Sequence, residues 1–228
     1  KRSTERNDEH PLVFGGGPVL TANPEPFAAF FDVILLGDGE TLLHDFLDAY
    51  GQVRGAERSV QLKTLAQVPG VYIPSLYEVT YVAADGPIAS ILPVASDIPQ
   101  TVKKQTYRGN VLSASTVVTE KAAWENIFMV EVVRSCPEMC RFCLASYLTL
   151  PFRAASIEAS LMPAIEKGLQ VTRRLGLLGA SITQHPEFDT LLDYVNRPEY
   201  DDVRVSMSSV RTNTVNAKLA KTLVNHGS

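Results

Sequence analysis

Ile127-Phe128-Met129-Val130-Glu131-Val132-Val133-Arg134-Ser135-Cys136-Pro137-Glu138-Met139-Cys140-Arg141-Phe142-Cys143 is the stretch that decides the fold. Residues 127–133 form a near-continuous apolar run, as a strand covered on both faces requires. The run ends in a polar loop containing Pro137 and Arg141. That loop holds Cys136, Cys140 and Cys143, the only three cysteines in 228 residues. A loop leaving a strand in this way sits where α/β folds build their sites. The spacing is C-x3-C-x2-C. Structural zinc wants four protein ligands, and an ordinary four-iron cluster wants four thiolates. Three thiolates leave one iron of a [4Fe–4S] cluster without a protein ligand, open to a small molecule that the cluster can reduce. Two blander alternatives stand beside this. Free cysteine is among the most buried residue types and need carry no chemistry. A zinc knuckle would need His185 or His226 as fourth ligand, and neither lies in a second C-x2-C or H-x3-H unit.

Downstream, strand and helix patterns alternate. Ser156 is a helix cap, with Pro163 marking where the regular helix starts. Leu175 to Gly179 is a second strand. Pro186 opens a helix with Phe188, Leu191, Leu192 and Val195 on one face. Val203 to Val210 is a third strand. The last helix carries Val215, Leu219 and Leu223 and ends near Gly227.

Upstream, residues 1–10 are charged and read as a ragged end. Leu12-Val13-Phe14 is a short strand running into Gly15-Gly16-Gly17-Pro18, a turn suited to glycine. Asn23 caps and Pro24 opens a short helix through Phe31. Val33 to Leu36 is a buried strand ending in Gly37-Asp38-Gly39-Glu40. The next helix places Leu43, Phe46, Leu47 and Tyr50 on one face. Strand–helix–strand–helix is the grammar of a doubly wound domain, but two strands make no independent sheet, so a further piece is expected upstream. Leu62 to Ala66 is a last helical turn. Tyr77 to Val82 and Ile88 to Leu92 form a hairpin around Ala84-Asp85-Gly86. Residues 94–126 read as an extended connecting arm. The expected domains are 1–56, 57–126 and 127–228.

Composition limits the function classes. Hydrophobic residues make up 45% of the chain, enough for a sizeable core, and the formal net charge is −4. No Lys/Arg block exceeds a pair, so nothing supports a nucleic-acid partner. Three cysteines crowded in one loop suit reduced thiols in a reducing compartment. No apolar run spans a membrane, and the polar start lacks a signal-peptide core. A cytoplasmic protein is expected.

The segment from Val130 to Cys143 resembles the signature of the radical S-adenosylmethionine (radical SAM) superfamily. In that family the C-x3-C-x2-C loop follows the first strand of a partial (β/α)6 barrel, with an aromatic residue just before the third cysteine, here Phe142. The resemblance implies that Cys136, Cys140 and Cys143 ligate three irons of a [4Fe–4S] cluster. S-adenosyl-L-methionine (SAM) would chelate the fourth, and Phe142 would help to hold its adenine. An electron from the cluster then cleaves the sulfonium bond, giving methionine and a 5′-deoxyadenosyl radical that abstracts a substrate hydrogen. A ferredoxin or flavodoxin would supply the electron. The family's Gly-Gly-Glu-like stretch for the SAM amino group is represented by Gly179, Ala180 and Ser181, with a backbone contact available and no acidic partner. Ser209 and Arg211, ending the third strand, are candidates for the SAM carboxylate or ribose, weighed against a polar strand end facing solvent.

The upstream half resembles the tail of the cobalamin-binding-like domain that precedes many radical SAM barrels. Gly15-Gly16-Gly17-Pro18, Asn23-Pro24-Glu25-Pro26 and Gly37-Asp38-Gly39-Glu40 carry that likeness. Cobalamin itself lacks support in this segment, because Asp8-Glu9-His10-Pro11-Leu12-Val13 puts Val where the D-x-H-x-x-G motif needs Gly. His10 reads as a surface histidine. Leu20 breaks any G-x-G-x-x-G dinucleotide fingerprint, and no Walker loop is present. His44 reads as structural, and His185 before Pro186 as a helix-opening residue rather than a catalytic one.

The expectation is an α/β chain: part of a doubly wound Rossmann-like domain, then a partial (β/α) radical SAM barrel. Only three barrel strands are visible, so residues 1–228 alone are expected to turn over weakly or not at all. The alternatives are a tRNA methylthiotransferase-like enzyme, which would add an upstream cysteine trio that this chain lacks, and a non-catalytic Fe–S or zinc-binding module.

Overall fold

The computed structural model describes residues 1–227, and the chain divides into two compact units, residues 1–107 and the residues from Arg108 onward. The first unit contains β1 (Phe14–Gly15), α1 (Pro18–Ala22), β2 (Val33–Leu35), α2 (Gly39–Val53), α3 (Arg58–Leu65), β3 (Val71–Tyr72), β4 (Tyr77–Tyr81) and β5 (Ile88–Pro93). Its main sheet has the order β1-β2-β3, with β1 parallel and β3 antiparallel to β2. The third strand completes the sheet that two strands alone do not make. It is two residues long, too short to show a period of two.

Two upstream expectations change. The helix expected from Pro24 to Phe31 is a single 3-10 turn, Glu25–Phe27, and the α-helix lies earlier, at Pro18–Ala22. Pro18 has the fixed φ that suits a first helical position, and Gly17 before it adopts φ +95°. Pro24 and Pro26 both lack an N–H, so that segment cannot build a regular helix. Helix α2 forms as expected, but its buried face is Leu42 and Phe46, with Ala49 and Tyr50 partly covered. Leu43 and Leu47 remain exposed. Leu42 and Phe46 pack with Val33, Ile34 and Leu65 in the core of this unit.

Residues 1–10 are not ragged. The Asp32 carboxylate is buried, with Arg6 Nε at 2.9 Å and Arg58 Nη2 at 2.8 Å from the same Oδ2. The Val13 N–H donates to that oxygen as well, at 2.8 Å. Arg6 also donates to the carbonyls of Lys1 and Phe30, and Arg58 to those of Asn7 and His10. One buried carboxylate thus fastens the N-terminal segment through two guanidinium groups.

The second unit contains β6 (Phe128–Glu131), β7 (Val133–Arg134), α4 (Leu144–Leu148), β8 (Arg153–Ala154), α5 (Met162–Leu169), β9 (Arg174–Leu178), α6 (Phe188–Val195), β10 (Arg204–Met207) and α7 (Ala217–His226). Strands β6, β9 and β10 form one parallel sheet in that order. Each parallel strand neighbours the next in sequence, and a helix lies in each crossover. This is the winding of an open (β/α) barrel segment, without the reversal of strand order found in doubly wound sheets. The described strands do not close a barrel.

Ser156 caps as expected: its hydroxyl accepts from the Ala159 N–H and opens a π-helical turn, Ile157–Leu161, that leads into α5. Asn216 caps α7 by accepting from Leu219 N at 2.8 Å. Strand β10 stops at Met207, short of Val210, because the Ser208 hydroxyl bonds the carbonyl end of β9 and Ser209 turns to φ +40°. Residues 113–115, inside the stretch expected as a featureless arm, run antiparallel along the outer edge of β6. Glu131 N donates to Ser113 O and Ser115 N to Met129 O, each at 2.8 Å. No helix among the described residues is long and apolar enough to cross a membrane.

Each unit buries a tyrosine against a carboxylate. Burial, and then the hydrogen bond to Glu25, push the Tyr72 hydroxyl well above the ordinary tyrosine range. Burial, followed by hydrogen bonds with Tyr200 and Glu166, does the same for Tyr194. The folded pKa values exceed the unfolded ones, so the stability they contribute is complete below about pH 10 and is lost as pH rises further. Each tyrosine then removes about 1.4 kcal/mol per pH unit. The expected melting temperature is therefore steady up to about pH 10 and falls above it. Combining Tyr72→Phe with Tyr194→Phe flattens that alkaline slope; an unchanged slope in the double variant contradicts the assignment.

Candidate metal centre

The cysteine loop leaves the sheet at a fixed point. Strand β7 pairs antiparallel with β8, Val133 opposite Ala154 and Arg134 opposite Arg153, so residues 135–152 form a closed excursion. Arg134 forks onto the Glu131 carboxylate at 2.7 and 2.6 Å and anchors the exit from β6. Within the excursion, the buried Ser135 hydroxyl donates to Ser146 O at 2.9 Å. Tyr147 donates to Met139 O at 2.8 Å, and Cys143 N to Cys140 O at 3.0 Å. Ser135 and Met139 adopt φ of +70° and +48°. For such residues each left-handed conformation costs about 1–3 kcal/mol, so surrounding contacts must hold it.

Cys136, Cys140 and Cys143 are all free and half-buried in this excursion. Among the described residues no three His, Cys, Asp or Glu side chains converge on a single-ion site. The two candidate fourth ligands for zinc are engaged elsewhere. His185 is buried, with Nε2 2.7 Å from Ala155 O and Nδ1 accepting from Glu187 N, which is the helix-opening role. His226 is buried with Nδ1 2.9 Å from Val203 O.

Of the other expected residues, Gly179 and Arg211 are brought to the cysteine loop or its base. Gly179 ends β9 so close to Val133 that an added Cβ would fall 2.8 Å from Val133 O. The backbone there is bare because a side chain has no room. Ser208 accepts from Gly179 N at 3.1 Å and joins the loop after β10 to the same spot. Ala180 is exposed. Ser181 is fully buried, and its hydroxyl has no protein hydrogen-bond partner; the buried Ser146 hydroxyl in α4 is in the same condition. The Phe142 ring is 92% exposed, so no protein surface holds it. Ser209 is exposed, while Arg211 reaches the cysteine loop, its Nη2 3.4 Å from Glu138 Oε2.

Two residues in this constellation carry no sequence signal. Gln184 donates from Nε2 to Glu138 Oε1 at 2.5 Å, and the Cys136 thiol lies 3.8 Å from Gln184 Oε1. Neither residue belongs to a spaced motif, and only the fold brings them together.

Chemically, the donor set fits an iron–sulfur cluster with three protein ligands. It offers three free thiols in one loop, which among the described residues are not gathered with other donors into a preformed metal site. Cobalamin is not fitted by His10, whose ring nitrogens face Lys1 Nζ and the Asn7 side chain.

Residues 1–74 match the family described as "Radical SAM proteins, N-terminal". Over 229 aligned positions the chain is 27% identical to an uncharacterized protein of Methanocaldococcus jannaschii, covering 97% of this chain and 43% of that protein. The chain therefore spans less than half the length of the curated relative it matches. No solved structure matches it significantly.

Proposed function

We propose that this chain, a radical SAM superfamily protein whose residues 1–74 carry that superfamily's N-terminal domain, holds a [4Fe–4S] cluster through Cys136, Cys140 and Cys143 and leaves one iron open to SAM. The observation that carries this reading is the position of three free, half-buried cysteines in one loop beyond β6 of a consecutively wound parallel sheet. A cluster held there would supply one-electron reduction of SAM and, through it, radical chemistry at a substrate C–H bond.

The chain's own residues bind, orient and shield. Gly179 packs against Val133 at the base of the cysteine loop with its N–H and carbonyl held by Ser208, and Ser181 beside it is fully buried. Of the Gly179-Ala180-Ser181 stretch, Ala180 is the exposed member, so its backbone is the contact proposed for the polar end of SAM. The backbone around Phe142 and the side chains of Ser209 and Arg211 complete the candidate contacts. A ferredoxin or flavodoxin delivers the electron, in a reducing compartment such as the cytoplasm.

Metal analysis tests the reading. Anaerobically reconstituted protein is expected to carry about four iron and about four sulfide per chain. Stoichiometric zinc with no iron contradicts it.

A further inference from the structure

Cys136 differs from the other two cysteines in having a side-chain partner in the next crossover of the barrel segment. Gln184 ends the 3-10 turn Ile182–Gln184 after β9, where Ile182 and Thr183 are buried, so its backbone is fixed. One end of its amide meets the Cys136 sulfur at 3.8 Å, and the other donates to Glu138 Oε1 at 2.5 Å. Glu138 lies between Cys136 and Cys140, and its second oxygen pairs with Arg211 Nη2 at 3.4 Å. Arg211 is itself held: its backbone N–H donates to Thr183 Oγ1 at 3.4 Å, and Nε to Asn213 Oδ1 at 3.3 Å. The chain Cys136–Gln184–Glu138–Arg211 therefore ties together the loops that follow β6, β9 and β10.

The cysteine loop needs such a tie. Ser135, just before Cys136, and Met139, just before Cys140, stand at positive φ that neither residue type favours. Groups that hold a metal ligand in place govern the site's affinity even though they never touch the metal. We propose that Gln184 is the positioning residue of Cys136, and that with Glu138 and Arg211 it clasps the cysteine loop against the two neighbouring loops. The clasp orients Cys136 before any metal arrives. Its role in retaining a cluster rests on the function proposed above; its effect on the metal-free loop does not.

Two measurements on the full chain separate the two ideas. In metal-free protein, alkylation of each cysteine is followed by peptide mass spectrometry. Gln184→Ala is expected to speed alkylation of Cys136 about tenfold, the equivalent of one lost hydrogen-bonded contact, while Cys140 and Cys143 change less than about twofold. In iron-loaded protein, where Cys136 has given up its proton and the clasp consists of Gln184, Glu138 and Arg211 alone, the same substitution is expected to speed loss of iron to a chelator about tenfold. Gln184→Glu, which sets carboxylate against carboxylate, breaks the tie to Glu138 and should speed loss of iron as Gln184→Ala does. Combining Gln184→Glu with Glu138→Gln restores an amide–carboxylate pair and should slow the loss of iron again. Unchanged Cys136 reactivity in Gln184→Ala overturns the clasp, whatever metal the protein holds. Protein that takes up zinc and no iron overturns the cluster reading, while the alkylation result still decides the clasp. Equal acceleration at all three cysteines means that the loop has merely loosened, and this also overturns the specific role of Gln184.

Discussion

Cys136→Ser, Cys140→Ser and Cys143→Ser are each expected to abolish retention of the proposed iron–sulfur cluster and to leave the fold intact. The proposed set of three protein ligands leaves no spare thiolate, because these are the only cysteines in the sequence. A hydroxyl is a far poorer ligand for iron than a thiolate. Structurally, the change is small. The cysteines lie half-buried in the excursion between β7 and β8, outside the packed core. Stability of the metal-free protein should therefore move by no more than about 0.5 kcal/mol. The measurement pairs iron content and visible absorption with a thermal melt of the metal-free protein. Full iron loading in any one variant contradicts the three-ligand assignment. A collapsed melt would instead make that cysteine structural.

The second large effect is on stability, at the other unit. Asp32→Ala leaves the Arg6 and Arg58 side chains, 6% and 11% exposed, without the carboxylate that both face. Removing one partner of a buried ionic group costs about 3–5 kcal/mol, because the remaining charge is uncompensated. Asp32→Asn keeps the shape and an acceptor oxygen for Val13 N but loses the charge, so it should fall between wild type and Asp32→Ala. Chemical denaturation gives the energy, and limited proteolysis gives the location. Cleavage within residues 1–10 should accelerate, because Arg6 and Arg58 hold the carbonyls of that segment. A loss below about 1 kcal/mol, the range of exposed ion pairs, contradicts the account of Asp32 as a buried anchor.

Long, strongly patterned elements were legible in the amino-acid sequence. The apolar run ending in Val133, the strand at Leu175 and the helix carrying Phe188, Leu191, Leu192 and Val195 all form near their expected places. Local capping chemistry was legible too, as Ser156 shows. Short elements were not. Strands β3 and β8 are two residues each, and only long-range pairing defines them. The face of α2 was misplaced by one position because Leu42, Leu43, Phe46 and Leu47 satisfy helical spacing in two ways. The partner across the core, chiefly Val33, Ile34 and Leu65, selects Leu42. The site divides along the same line. The three cysteines announce themselves by spacing within one loop. Gln184, Glu138 and the orphan hydroxyl of Ser146 do not, because their significance lies in a contact, or in the lack of one, created by folding.

The open iron is the centre of the account, and electron paramagnetic resonance of the reduced, iron-loaded protein addresses it most directly. Recorded with and without SAM, the spectrum of a four-iron cluster held by Cys136, Cys140 and Cys143 should change on addition of SAM, since only an iron without a protein ligand is free to accept it. A four-iron signal that is identical in both samples would contradict the account: the fourth position would then be filled by another ligand, and the three cysteines would hold a closed centre.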